Sequence, residues 1–305
     1  MGSGVTPGPE QCVLVTEALR PEAELVHQAR LILSEAIEEH DPVAIYLALS
    51  GGNDSRCTTH VSMPVLANDP RFRGAVLVDT GVAITEAHEA VWEYAQIVGV
   101  PLRIQRTPER YEEFVLEHGF PGPAQHGRMY QRLKERAIRL VTAREKEGQH
   151  WRARVMYVSG VRKYESRRRV KLTMPVQRDG AAVWCNPLFW WTTPERNAYQ
   201  LANTIQRNPI SEYLCGSSGD CLCGSMADPG GEKEMETLRI WFPSMYRRLR
   251  ELERRAARAG VWSKWGHKPP AKPGSASDHP DLFAGFAGPM CAGCERRYDP
   301  ENEAA

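Results

Sequence analysis

The chain has 305 residues, 42% of them hydrophobic, and its 39 Lys and Arg against 38 Asp and Glu leave a net charge of +1. That length supports one large α/β domain with appendages or two smaller ones, and the balanced charge supplies no global field for nucleic acid. No apolar run has the length of a membrane span and no secretory leader is visible, so no membrane partner and a cytoplasmic setting are expected.

Residues 1–16 are rich in Gly and Pro. The pattern over 17–40 predicts a helix with Pro21 in its first turn and Ala18, Leu25, Ala29, Leu31, Ile32 and Ile37 on one broad face. Residues 43–49 read as a buried strand, followed by Ser50-Gly51-Gly52-Asn53-Asp54-Ser55 and a helix start from Arg56. Residues 74–79 predict a second strand ending in Asp79-Thr80-Gly81, 85–98 an amphipathic helix capped by Thr85, and 100–105 a third strand. A helix is expected over 127–147, with Leu133, Ala137, Leu140 and Val141 inward, then a strand over 154–158. Two further helices, 232–240 and 244–258, are separated by Pro243, the second with Tyr246, Leu249 and Leu252 as its inner stripe. Strands alternating with helices predict an α/β fold with a doubly wound, mostly parallel sheet. Ligands of such sheets bind beyond the carboxyl ends of the strands, where Ser50 and Asp79 fall.

A strand, a double-glycine turn and a helix start form a cradle for an anion: the glycines admit close backbone approach, and free N–H groups point outward. Ser50, Ser55 and Thr58 add hydroxyls, and Asp54 suits either a Mg²⁺ shared with phosphate or a helix N-cap. The GxxxxGK[ST] spacing of the common phosphate loop is absent. Between 128 and 171 the chain carries fifteen Lys and Arg against four Glu. Such an excess neutralises a triphosphate or a nucleic-acid backbone, or coats a solvated surface. The turn after Gly160 comes directly after a strand and belongs on the ligand edge. Of eight cysteines, five lie in the last third: Cys215, Cys221 and Cys223 around a Gly/Ser turn, and Cys291 and Cys294 beyond a Pro/Gly-rich stretch. Two short-range pairs can chelate one centre, with Cys221, Cys223, Cys291 and Cys294 as ligands and Cys215 as a substitute; the spacing admits [4Fe-4S] or zinc. Cys12, Cys57 and Cys185 read as small buried residues, and His267 as a solvated loop histidine.

Ser50 to Ser55 resembles the SGGxDS PP-loop of the N-type ATP pyrophosphatases. Asp79-Thr80-Gly81 with Thr85-Glu86 resembles the DTG segment of phosphoadenosine phosphosulfate (PAPS) reductases. Gly160, Arg162, Glu165, Ser166 and Arg169 are similar to that family's GxRxxES..R segment. Lys134 resembles the lysine before it, and Asn186-Pro187-Leu188 with Trp191-Thr192 the PL..W(T) segment. The resemblance spans about 40–210 and implies an adenine nucleotide alpha hydrolase-like fold. It divides the chain into an N-terminal helical segment (1–40), a nucleotide-binding domain (41–210) and a cysteine-bearing helical cap (211–305). It implies that Ser50, Gly51, Gly52, Asp54, Ser55, Asp79, Thr80, Gly160, Arg162 and Glu165 bind the nucleotide, with Asp54, Lys134, Arg162 and Arg169 in the chemistry. It favours a [4Fe-4S] cluster over zinc, with Mg²⁺ and ATP. The function implied is α–β cleavage of ATP to adenylate an acceptor, followed by sulfur transfer, as in the iron–sulfur enzymes of DNA phosphorothioation and tRNA thiolation. DNA or tRNA is then the acceptor and a cysteine desulfurase a candidate sulfur source; the oligomeric state is open. The alternatives are a sulfonucleotide reductase and a non-catalytic iron–sulfur scaffold. The reductases' Glu-Cys-Gly-Leu-His ending has no counterpart after Cys294, which weighs against the first.

Overall fold

The structure is a computed structural model that describes residues 19–108, 110–122, 125–165, 173–214, 217–227 and 231–269. Its centre is a six-stranded sheet in the order β3-β2-β1-β4-β6-β5. The strands are β1 Ala44–Ala48, β2 Phe72–Asp79, β3 Leu102–Arg106, β4 Val155–Val158, β5 Val176–Asp179 and β6 Ala182–Cys185. All neighbours are parallel except β5 on β6. Alternate residues of each strand feed opposite layers. Ile45, Leu47, Ala75, Leu77, Met156 and Val158 enter one core, while Ala44, Tyr46, Val76, Val78, Val155 and Tyr157 enter the other. Burial on both faces is why these strands read as continuous apolar runs. Helices α1 (Glu22–His40), α2 (Asn53–Leu66) and α3 (Thr85–Ile97) cover the first face. Ala137, Ile138 and Val141 of α6 (Arg136–Glu145) cover the second. The fold is the doubly wound, mostly parallel α/β arrangement expected.

Several local expectations are corrected. Pro21 is the N-cap of α1, outside its first turn. Leu31 is exposed and Leu33 is buried in its place, because Leu31 stands about 200° around the helix from the buried Ala29. Thr85 does not cap α3. Ile84 takes that place in an extended conformation, its N–H bound to the Gly219 carbonyl at 3.0 Å. The helix expected over 127–147 is α5 (His126–Tyr130), a π-helical turn Gln131–Glu135, and α6. The extra residue in that turn rotates α6 about its axis, and Leu140 faces solvent. Four elements lie outside the sequence expectations: α4 (Tyr111–His118), the β5–β6 hairpin, α7 (Thr193–Ala202) and α8 (Ile210–Tyr213). The hairpin had a legible signal in Asp179-Gly180, whose glycine adopts φ 58°.

A second core lies apart from the sheet layers. It joins α4, Met129 and Leu133, Leu222 and Cys223, Trp265, and the inner faces of α9 (Glu232–Trp241) and α10 (Pro243–Arg258). Leu249 and Leu252 point inward as expected, with Tyr246 partly buried beside them. Segment 219–222 is stitched to the loop after β2 by Ile84 N–H to Gly219 O and Leu222 N–H to Val82 O. Among the described residues no helix is long and apolar enough to cross a membrane.

Candidate active site at the β1–β4 switch point

Strand order turns back at β1 and β4, which lie side by side while the chain winds outward from them on both sides. The loops leaving their carboxyl ends meet there, at the place where such sheets open a crevice. The β1 loop is tight. Gly51 has φ 82°, and a Cβ on it would stand 2.6 Å from Val91 of α3, so both backbone and packing demand glycine. Gly52 is the N-cap of α2, in an extended conformation, which removes Asp54 from that role. The Ser55 and Thr58 hydroxyls donate to the Gly52 and Asp54 carbonyls at 2.8 and 2.9 Å, so here they close their own turn. Ser50, Gly52, Asn53 and Asp54 stay partly exposed.

The β4 loop presses on this turn. A Cβ on Gly160 would stand 2.7 Å from the Asp54 carbonyl carbon and 2.8 Å from the Ser55 nitrogen. Two residues on, buried Arg162 donates through Nε to Asp54 Oδ1 at 2.9 Å. Its Nη1 reaches the Trp191 carbonyl and Thr193 Oγ1. A second buried guanidinium, Arg196 of α7, places Nε 3.0 Å from the same Oδ1. Asp54, read from the sequence as a Mg²⁺ ligand or a helix N-cap, is ion-paired with two arginines. Asn53 ties the loop to α7 and beyond: its Oδ1 accepts from Gln200 Nε2 and from the Asn208 N–H, and its Nδ2 donates to Ser211 Oγ.

The start of α7 is held by Arg20. Its Nε and Nη2 bind the Glu195 carboxylate at 2.7 and 2.9 Å, while Thr192 and Glu195 form a reciprocal capping box. The hydrogen bond from Arg20 holds the Glu195 carboxyl down at about 2 from its ordinary 4.5, and burial opposes it. A depressed carboxyl stabilises above its unfolded value and loses that contribution as pH falls toward its folded one. Glu195→Gln is expected to lower stability by about 2 kcal/mol at pH 7, less than the full linkage value because Arg20 is partly hydrated. The difference from the parent protein should narrow below about pH 4.5 and close near pH 2, read as urea midpoints against pH.

The remaining expected residues gather in a second group. Asp79 accepts from the Gly81 N–H and from Arg106 Nε, both at 2.9 Å. Thr80 is fully buried and donates to the Asp220 carbonyl at 2.8 Å. Lys134, in the π-helical turn, is buried and paired with the Asp220 carboxylate at 2.8 Å. Burial pushes that carboxyl up, but the Lys134 ammonium outweighs it and holds it below the usual range. The Arg132 carbonyl of the same turn accepts from Thr107 Oγ1. Next to Asp220 come Cys221 and Cys223. The Cys223 thiol lies 3.1 Å from Ser225 Oγ, which is 3.3 Å from His126 Nδ1. Tyr111 Oη and Trp265 Nε1 donate to the Cys223 and Leu222 carbonyls at 2.9 Å. The Cys221 thiol is pushed well up by its hydrogen bond to Cys223 and by burial. Cys221 and Cys223, free cysteines two positions apart at the edge of the second core, have the spacing for one half of a four-thiolate centre. Cys215, Cys291 and Cys294 lie outside the described residues, as do Cys12, Ser166 and Arg169; Glu165 ends the short 3₁₀ turn Lys163–Glu165. Among the described residues no group of three metal-ligating side chains forms. Cys57 and Cys185 are buried, and burial raises the Cys57 thiol to about 12.

Asn208 links the two groups, taking Asn53 Oδ1 on its N–H and reaching the Ser218 carbonyl at 3.5 Å, with Ser218 Oγ bound to Asp220. Sequence reasoning missed Arg196, Gln200, Asn208 and Asp220. Only Arg196 and Gln200 had a local signal, the Thr192-x-x-Glu195 capping box that opens their helix.

The family model described as phosphoadenosine phosphosulfate reductase domain matches residues 44–226. No curated protein matches the chain. Among solved structures, PAPS reductase from Candida auris, in a phosphate complex, is 15% identical over 64% of this chain and 93% of its own, with a TM-score of 0.44. NH3-dependent NAD synthetase from Campylobacter jejuni is 15% identical over 83% and 99%, with a TM-score of 0.44. The U34-tRNA thiolase of Methanococcus maripaludis, solved with its [4Fe-4S] cluster, is 12% identical over 77% and 81%, with a TM-score of 0.42.

Proposed function

We propose, from the premise that this chain belongs to the phosphoadenosine phosphosulfate reductase domain family, that it is an ATP pyrophosphatase coupled to sulfur transfer. The observation that carries the reading is the meeting of the two motif loops at β1 and β4, where a partly exposed double-glycine turn stands against Arg162 and Arg196. Ser50, Gly51 and Gly52 bring backbone against the β,γ-phosphates, and Arg162 offsets charge on the leaving pyrophosphate. Chemistry of this kind is mostly positioning and electrostatics. An acceptor oxygen attacks the α-phosphorus and the α–β bond breaks, giving adenylated acceptor and pyrophosphate. A sulfur nucleophile then displaces AMP, which leaves with the acceptor oxygen. The basic stretch 128–171 favours a nucleic-acid acceptor, DNA or tRNA; a persulfide from a cysteine desulfurase would supply the sulfur, and a second thiol would then cleave the S–S bond left on the acceptor and leave as the donor's disulfide.

Cys221 and Cys223, with Cys291 and Cys294, would hold the [4Fe-4S] cluster, which when bound would supply electrons, all four irons then being held by thiolates. The pair's own contribution is a dry, hydrogen-bonded setting anchored by Lys134 and Asp220. The division into a nucleotide-binding domain over 41–210 and a cluster-binding cap over 211–305 belongs to the same proposal. Anaerobically purified protein, brown and iron-loaded, should convert ATP and Mg²⁺ to AMP and pyrophosphate in the presence of DNA or tRNA, with sulfur in the acceptor detected by mass spectrometry. Release of ADP would refute the pyrophosphatase reading. The family match favours one second reading, sulfonucleotide reduction, for which sulfite release from adenylyl sulfate with a thiol reductant is the sign.

A further inference from the structure

Asp54 Oδ1 accepts a hydrogen bond from buried Arg162 Nε at 2.9 Å and is ion-paired with buried Arg196 Nε at 3.0 Å, a contact without hydrogen-bond alignment, while Arg162 Nη2 lies 3.4 Å from Oδ2. The carboxylate sits in the first turn of α2, the positive end of that helix. A divalent cation approaching it would meet two buried guanidiniums already ion-paired there, and like charges at that range repel. The triad carries two positive charges to one negative, which suits an anion better than a cation. Arg196 is itself held: its Nη1 donates to Gln200 Oε1 at 3.1 Å, and Gln200 in turn holds Asn53. The Arg20–Glu195 pair fixes the turn from which Arg196 projects.

We infer that Arg196 is a positioning residue which, through Asp54, fixes Arg162 and the first turn of α2 as a grip for phosphate, with Asp54 serving as tether and not as a ligand of Mg²⁺. The inference rests on the nucleotide-site reading above and assigns its charge to arginine. Any Mg²⁺ in the reaction then rides on the phosphate oxygens. Arg196→Lys keeps the charge but lacks the planar fork, so it restores only part of the function.

Calorimetric titrations with ATP and, separately, inorganic pyrophosphate test this, each with Mg²⁺ and with chelator. The full-length protein is compared with Arg196→Met, Arg196→Lys and Asp54→Asn, and melting temperatures are recorded alongside. Pyrophosphate should bind the parent protein without Mg²⁺ to within about threefold of its affinity with it. Arg196→Met should weaken binding by about tenfold or more under both conditions, a loss of the size expected when one charged contact to phosphate is misplaced. Arg196→Lys should recover part of that loss at a melting temperature near the parent's. Unchanged affinity in Arg196→Met overturns the inference. So does strict Mg²⁺ dependence in the parent that disappears in Asp54→Asn. Pyrophosphate binding that tracks Arg196 without any ATP binding would sink the nucleotide reading and leave the grip standing. ATP binding indifferent to Arg196 would do the reverse, and binding of neither ligand would remove both.

Discussion

Gly160→Ala is expected to remove both stability and nucleotide binding. The added methyl would stand 2.7–3.0 Å from three backbone atoms of Asp54 and Ser55, and backbone at a helix start cannot turn aside as a side chain can. Relief requires moving the β4 loop, with Arg162 on it, away from the first turn of α2. Overpacking of this kind costs about 3 kcal/mol, which corresponds to a fall of roughly 6–12 °C in melting temperature for a domain this size. Arg162 would move with the loop, so affinity for ATP should drop by more than the stability loss alone implies. Gly148→Ala is the control: its φ is 75°, but no atom lies within 4 Å of the new Cβ, so it should cost only about 1 kcal/mol of backbone strain and leave binding intact. Equal behaviour of the two variants would mean that the loops do not depend on their close approach.

The second large effect is expected at the Lys134–Asp220 pair. Both side chains are nearly out of water and 2.8 Å apart. Lys134→Met leaves the Asp220 carboxylate in the protein without its ammonium, a change that costs about 3–5 kcal/mol for buried pairs. The double variant Lys134→Met/Asp220→Asn removes the stranded charge and should recover roughly half of that loss or more. The Asp220 carbonyl accepts from Thr80 and Asp220 adjoins Cys221, so the single variant should also expose the cysteine pair to thiol reagents. Guanidinium denaturation and thiol labelling read both effects. If the single and double variants lose the same stability, the pair is a contact of convenience and not the joint between the nucleotide loop and the cysteines.

Much of the sheet was legible because of how it is buried. Residues 43–49, 74–79 and 154–158 are apolar on both alternations, and a strand sandwiched between two helical layers leaves that mark on its own residues. The double-glycine turn was legible for a local reason too, since Gly51 needs a positive φ wherever the chain goes next. The helix expected over 127–147 forms, but a π-helical turn interrupts it for a reason outside it: that turn carries Lys134 toward Asp220 and gives the Arg132 carbonyl to Thr107. Thr85 lost its cap to Ile84 because Gly219 took the Ile84 N–H.

By itself the amino-acid order determined four of the sheet's six strands, the turn at 50–55 and the residue types from which a phosphate grip and a thiolate pair are proposed, because each is written in neighbouring positions. Only the tertiary structure decided which partners those residues meet. Arg162 meets Asp54 across 108 positions and Lys134 meets Asp220 across 86. Whether a carboxylate faces a metal or a guanidinium depends on which charge the packed chain delivers to it, and that is settled by the crossing of loops and not by the spacing of letters.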